Sequence, residues 1–302
     1  MVLRITINEI KRMICSSGFW LSVGLACIIL FTTEAYREQD GTVYTILTAG
    51  GYLKGKEGLE SNINVQSLFS LTVRYQLPMY GPLLAALSFA SILCEEQKYG
   101  IRRYLLFKEG KKNYVFSKAV SAMITSGLAF FVSAIILLVF LYVNYPLMSE
   151  VVDIESFQSW FTYQSNNKNG TVMLLFRLFG EHGFCMMQLI GVFLYGVFCG
   201  FIGYICTAFF ANVYLAVCIP FFFGYMYYSI VQAIMGRLTE GTISIELYNK
   251  INRYVSPEGY MYFWKMQDSF LINIIVLFGV WIIAIGIHMF RIQKATDCGV
   301  NQ

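Results

Sequence analysis

The chain has 302 residues, of which 57% are hydrophobic and only 13% are charged. Soluble domains carry about 25% charged residues, so this composition leaves too little polar surface for a soluble enzyme or a nucleic-acid-binding protein. The mean hydropathy of +0.58 agrees, and we expect an integral membrane protein.

Upstream of the first apolar stretch, the sequence predicts an amphipathic helix. Leu3, Ile7, Ile10 and Ile14 recur at the spacing of one helical face. We expect this helix to lie in the membrane interface. We do not expect a cleaved signal peptide, because the uncharged run Met13–Thr33 has 21 residues and a signal core usually has 7–15.

Five stretches contain no Asp, Glu, Lys or Arg, and each can cross a membrane as a helix of about 20 residues. The longest, Gly183–Gly236, has 54 residues and therefore room for two spans with a turn near Ala211 and Asn212. We predict an all-α fold, with one transmembrane domain over residues 1–302 and six spans. The predicted spans are residues 14–33, 75–94, 120–143, 184–209, 213–235 and 269–290.

The distribution of Lys and Arg predicts that both termini are cytoplasmic. With that orientation the inner segments hold 12 basic residues in 48 positions, and the outer segments hold 10 in 106. Basic residues are favoured on the cytoplasmic side. We therefore expect a multi-pass protein of the cytoplasmic membrane.

No pattern predicts catalysis, a cofactor or a metal site in this chain. The segment from Gly50 to Lys56 approximates a phosphate-binding loop, but Glu57 stands where Ser or Thr would bind magnesium. The two histidines, His182 and His288, are predicted near opposite membrane faces, which excludes a two-histidine metal site. The middles of the predicted spans carry no charge, which argues against an ion-coupled carrier.

The most informative segment is the predicted inner loop Glu95–Lys118, with seven basic and three acidic residues in 24 positions. Its simplest interpretation is a polybasic anchor for anionic lipid. Its order, however, also predicts a short amphipathic helix after Gly100, with both signs of charge around it. Such a helix is suited to docking on a cytoplasmic partner protein.

The order of residues in the predicted inner loop resembles that of the type-2 permeases of ATP-binding-cassette (ABC) exporters. The matching positions are Glu95, Glu96, Gly100, Leu105, Leu106, Lys111, Lys112 and Lys118. The turn at Ser256 and Pro257 is also similar to one that these permeases carry before their last span. One departure is that Lys108-Glu109-Gly110 stands where the family usually has Ser/Thr-Pro before a basic residue.

The resemblance implies a permease subunit that pairs with a second permease subunit and with a separate ABC ATPase subunit in a bacterial cytoplasmic membrane. ATP and magnesium would bind to that ATPase, and this chain would be no enzyme, bind no cofactor and contact no nucleic acid. The inner loop would couple ATP hydrolysis to export. The coupling residues implied are Glu95, Glu96, Gly100, Arg102, Arg103 and Lys118.

The predicted fourth and fifth spans are rich in aromatic residues and glycine, which suggests either helix packing or an aromatic pathway. The positions singled out are Gly196, Gly200, Tyr225, Gln188 and Gln232. An uncharged pathway favours an amphipathic or apolar cargo such as a peptide or bacteriocin, a lipid or a drug. The alternative functions are a non-transporting membrane sensor or assembly protein and an ion-coupled secondary transporter.

Overall fold

A computed structural model of the chain describes residues 2–38, 41–53, 63–147 and 170–239, together with isolated positions between 279 and 290. Helices dominate this part of the chain. They are α1 (Val2–Ile14), α2 (Ser17–Phe31), α3 (Ile46–Leu53), α4 (Val65–Lys98), α5 (Ile101–Glu109), α6 (Lys111–Asn144), α7 (Gly170–Phe209) and α8 (Val213–Thr239). Strands β1 (Glu34–Arg37) and β2 (Val43–Thr45) form an antiparallel hairpin between α2 and α3.

Four helical segments in the described part of the chain are long and apolar enough to cross a membrane. They are Gln76–Lys98, Lys111–Asn144, His182–Phe209 and Val213–Ile230. A fifth crossing results if α1 and α2, which meet at an angle of 59°, are counted as one bent span. The protein is therefore a helical, multi-pass membrane protein. Most of the sixth predicted span, 269–290, lies outside the described residues.

The predicted turn near Ala211 and Asn212 is confirmed, because α7 ends at Phe209 and α8 begins at Val213. The predicted N-terminal helix is also present as α1, which ends just before α2 begins. Ser16 caps α2, since its hydroxyl accepts a hydrogen bond from the Phe19 N–H at 3.2 Å.

Successive long helices run in opposite directions, which defines two ends of the bundle. The Gln97 side chain donates to the Thr207 carbonyl at 3.0 Å at one end. At the other end the Tyr142 hydroxyl lies 2.8 Å from His182 Nδ1. We call the end that carries β1 and β2 the hairpin end and the opposite end the α5 end.

The helices at the α5 end are longer than the sequence predicts. The predicted loop Glu95–Lys118 is mostly helical, because α4 continues to Lys98 and α6 already begins at Lys111. Hydropathy predicts only the part of a helix that lies in the hydrocarbon core of the membrane. The backbone hydrogen bonds of the helix can continue beyond that part, into residues that are charged. Only Tyr99–Gly110, which contains α5, connects the two long helices.

The hairpin departs from the predicted all-α fold. Tyr36 and Tyr44 stack across the two strands with ring centroids 6.3 Å apart. Arg37 forms two hydrogen bonds with the Glu34 carboxylate, at 2.8 and 2.7 Å. Gly41 supplies a φ of +90° in the connecting turn, a conformation that favours glycine. Cross-strand aromatic pairs of this kind stabilise antiparallel strands.

Small residues bring α6 and α7 into close contact. A Cβ atom added at Gly196 would lie 2.9 Å from Gly127 Cα, and one added at Gly200 would lie 2.6 Å from Ser126 Cβ. In membranes, where lipid is as apolar as the side chains, such close backbone approach is a main source of helix association. Gly196 and Gly200 therefore serve helix packing in this structure.

We expect Gly200→Ala to destabilise the protein by about 1–3 kcal/mol, because the added methyl group overpacks the contact with Ser126. Gly24→Ala is the matched control, since a Cβ at Gly24 in α2 meets no atom within 4 Å. The control should be neutral or slightly stabilising. Denaturant unfolding in detergent micelles measures both, and equal stabilities of the two variants would contradict the packing role.

Candidate functional site

A cluster of ion pairs lies in the interior at the α5 end and joins three helices. Lys118 of α6 is 1% exposed, and its ammonium donates to Glu9 of α1 at 2.5 Å and to Glu96 of α4 at 2.6 Å. Arg12 of α1 also donates to Glu96 Oε1. The Tyr114 hydroxyl donates to the other Glu96 oxygen at 3.0 Å. We call these five residues the ion-pair cluster.

The charges of the ion-pair cluster balance, which explains how they tolerate burial. Two carboxylates face one ammonium and one guanidinium, and the Glu96 side chain is fully buried. Removing charges from water costs several kcal/mol per ion, and only good geometry with further hydrogen bonds offsets that cost. The cluster therefore fixes the relative positions of α1, α4 and α6 more than it adds net stability.

Polar contacts beside the ion-pair cluster hold α1 and α7 against α6. The Ser121 hydroxyl donates to the Thr6 carbonyl of α1 at 3.2 Å. The Tyr204 hydroxyl of α7 donates to the Val115 carbonyl at 3.2 Å. Both bonds involve residues close to Lys118 in the chain. The N-terminal part of α6 is therefore contacted by α1 on one side and by α7 on another.

Helix α5 lies on the surface next to the ion-pair cluster. It stands between two glycines with positive φ, Gly100 at +71° and Gly110 at +82°. Each of its nine residues, all of which the structure describes, is exposed or half-buried, and Phe107 is 91% exposed. Its inner side is apolar, because Leu105 and Leu106 pack against the buried Tyr114 and Val115.

Glu109, the last residue of α5, lies near the ion-pair cluster without joining it. Its Oε2 atom is buried and has no hydrogen-bond partner among the described residues. Desolvation raises the pKa of this carboxyl above its ordinary value of 4.5, and the negative charge of Glu9 raises it further. Folding thus shifts the pKa of Glu109 towards the protonated form relative to the unfolded chain.

The six predicted coupling residues do not share one surface. Glu95, Gly100 and Arg103 are exposed and Arg102 is half-buried. Glu96 and Lys118, in contrast, lie in the interior and pair with each other.

The sequence did not reveal Glu9, Arg12 and Tyr114 as partners of these two residues. The one available signal is that Glu9 shares a helical face with Met13, the face that proves to be buried.

The remaining predicted positions are spread along α7 and α8. Gln188 is 1% exposed, and neither atom of its amide has a hydrogen-bond partner among the described residues. Tyr225 is exposed on α8. Gln232 belongs to α8, but its side chain lies outside the described residues. No group of three or more His, Cys, Asp or Glu in the described part of the chain is arranged to hold a metal ion.

Comparison with known proteins adds no assignment, since no protein-family model, curated protein or solved structure matches this chain.

We expect Lys118→Met to destabilise the protein by about 3–5 kcal/mol, because two buried carboxylates, Glu9 and Glu96, then share the single charge of Arg12. Combining it with Glu9→Gln should cost less than the sum of the two single changes. Unfolding in mixed micelles measures these stabilities. The control is Glu34→Gln, which breaks an exposed pair and should have little effect. Additive effects of Lys118→Met and Glu9→Gln would contradict the cluster.

Glu109→Gln should stabilise the protein near pH 7.5 and have little effect near pH 4.5. The folded state raises the pKa of this carboxyl, so the contribution of its protonated form is complete below the ordinary value of 4.5 and is lost as pH rises through the raised pKa. A neutral Gln keeps that contribution at every pH. Thermal unfolding across this range measures the difference, with exposed Glu95→Gln as control. A wild-type advantage at pH 7.5 would refute this account.

Proposed function

We propose that the chain is the membrane-spanning permease subunit of an ABC exporter and that a separate ATPase subunit docks on α5. The observation that carries the proposal is the position of α5. It is a short exposed helix that connects two membrane-length helices, α4 and α6, and it leaves Tyr104 and Phe107 uncovered. Exposed aromatic side chains of this kind are typical anchors of protein interfaces.

The surroundings of α5 suit the transmission of movement into the membrane. Its inner side packs on the first turns of α6, and the ion-pair cluster joins that part of α6 to α1 and α4. Because packed interiors are stiff, a displacement of α5 would carry the three helices together. ATP-driven movement of a docked ATPase would thereby reach the spans.

This proposal divides the predicted coupling residues into two roles. Glu95, Gly100 and Arg103 lie at the surface, where they would contact the ATPase directly. Glu96 and Lys118 would act as positioning residues, since they are buried behind that surface. ATP and magnesium would bind to the partner, and this chain would supply the pathway.

The proposed assembly contains a second permease subunit, either the same chain or a different one. The outer face of α8 is exposed in the single chain and is rich in aromatic residues, including Phe222, Phe223 and Tyr225. An aromatic and uncharged surface of this kind would suit an amphipathic or apolar cargo, such as a peptide, lipid or drug. We place the assembly in a bacterial cytoplasmic membrane, with α5 on the cytoplasmic side.

Tyr104→Ala with Phe107→Ala should reduce recovery of the ATPase partner at least about tenfold, because truncating aromatic anchors removes most of the binding energy of an interface. The measurement is affinity purification of the tagged chain from its host membranes in mild detergent, with vanadate-sensitive ATP hydrolysis assayed in the eluate. The matched control is Trp20→Ala with Leu21→Ala, which truncates two exposed side chains on α2.

Equal ATPase recovery with both double variants would refute docking on α5. A wild-type chain that elutes folded, alone and without ATP hydrolysis would refute the permease proposal and favour a sensor or assembly protein.

A further inference from the structure

We infer that the outward face of α1 binds the anionic headgroups of the lipid leaflet at the α5 end. This inference is independent of the proposed permease function, because it concerns only α1 and the bilayer. It assigns to Arg4 and Lys11 a binding role for lipid phosphate.

The first observation is the orientation of α1. Its buried residues are Thr6, Glu9 and Met13, so the helix turns a largely polar face towards the bundle. Leu3 is 73% exposed and Ile7 is 44% exposed, so much of its apolar stripe faces away. A surface helix of a water-soluble protein would bury its apolar face and expose its polar face. A helix in the membrane interface instead presents its apolar face to the acyl chains.

The second observation is the position of the basic side chains beside that stripe. Arg4 and Lys11 are exposed and lie three and four residues from Ile7. At 3.6 residues per turn they are within about 60° of Ile7 around the helix. Long basic side chains next to an apolar stripe extend their charged groups to the headgroups while their aliphatic stems stay in the apolar layer.

The third observation is a separation of charge at the α5 end. Glu9 and Glu96 point inwards to the ion-pair cluster, and Glu109 is half-buried. Glu95 is the exposed acidic residue among the described positions of α1, α5 and the adjoining ends of α4 and α6. The exposed basic residues there that lie outside the ion-pair cluster are Arg4, Lys11, Lys98, Arg103, Lys108, Lys111 and Lys112. The surface is thus strongly positive and complements an anionic leaflet.

The location of α1 favours lipid over an acidic protein as the occupant. Helix α1 leads through Cys15 and Ser16 into α2, at a bend of 59°. The helix therefore does not continue along the axis of α2. A partner that covers Leu3 and Ile7 and also neutralises Arg4 and Lys11 needs apolar and anionic parts side by side, as an anionic phospholipid has.

The same helix supplies Glu9 to Lys118, so α1 is held on two sides. Anionic lipid on the outer side should keep α1 docked and thereby preserve the ion pair on the inner side. Lipid composition would in this way affect the α5 end of the bundle.

The test uses hydrogen exchange of the α1 backbone amides in the full chain, reconstituted in nanodiscs of phosphatidylcholine with or without phosphatidylglycerol. Phosphatidylglycerol should slow exchange in wild-type α1 by about fivefold for each of the two basic side chains. Arg4→Gln and Lys11→Gln should each lose about fivefold of this protection. The control is Arg74→Gln, which changes an exposed residue of α4 far from the α5 end and should lose none of this protection.

Two further conditions separate lipid binding from other causes. High salt should reduce the added protection, because exposed charges are screened. Soluble glycerol phosphate in phosphatidylcholine discs should give no protection. Equal exchange of wild-type α1 in both lipids would overturn the inference, and so would an equal loss in Arg74→Gln. Protection by glycerol phosphate would replace the lipid assignment by a free-phosphate site.

Discussion

The α5 end of this protein depends on the burial of one ammonium group, that of Lys118. A buried cation is tolerated only with good partners, and here they come from α1 and α4, through Glu9 and Glu96. The three helices can therefore pack in only a narrow range of relative positions. Arg12 and Tyr114 complete the hydrogen bonds of Glu96, which leaves that carboxylate well satisfied.

The same arrangement determines the surface of this end. Because Glu9 and Glu96 are paired in the interior, the exposed charged side chains are mostly basic, and the surface is positive although the ion-pair cluster is neutral. Helix α5 sits on this surface with Tyr104 and Phe107 uncovered. One end of the bundle thus exposes an aromatic helix, α5, and a basic, apolar helix, α1, and both helices contact the part of α6 that carries Lys118.

Local sequence properties predicted the long helices, but the contacts between them depend on distant residues. The uncharged run within α6 and the break at Ala211 are visible because lipid excludes charge and turns interrupt the pattern. The pairing of Glu9 with Lys118 joins residues 109 positions apart, which no local pattern encodes. The amphipathic pattern of α1 likewise predicts a helix with two faces, without specifying which one meets the protein.

Tight and loose packing are unevenly distributed among the helices, and this bears on how the bundle would move. Gly196 and Gly200 hold α7 closely against α6, so sliding between these helices would create clashes. Helix α8 packs against α4, where Gly224 comes close to Pro82, and exposes much of its outer face. A force applied at α5 would therefore act first on α6, on which α5 packs, and would reach α7 through these close glycine contacts and α4 through the pair of Lys118 with Glu96.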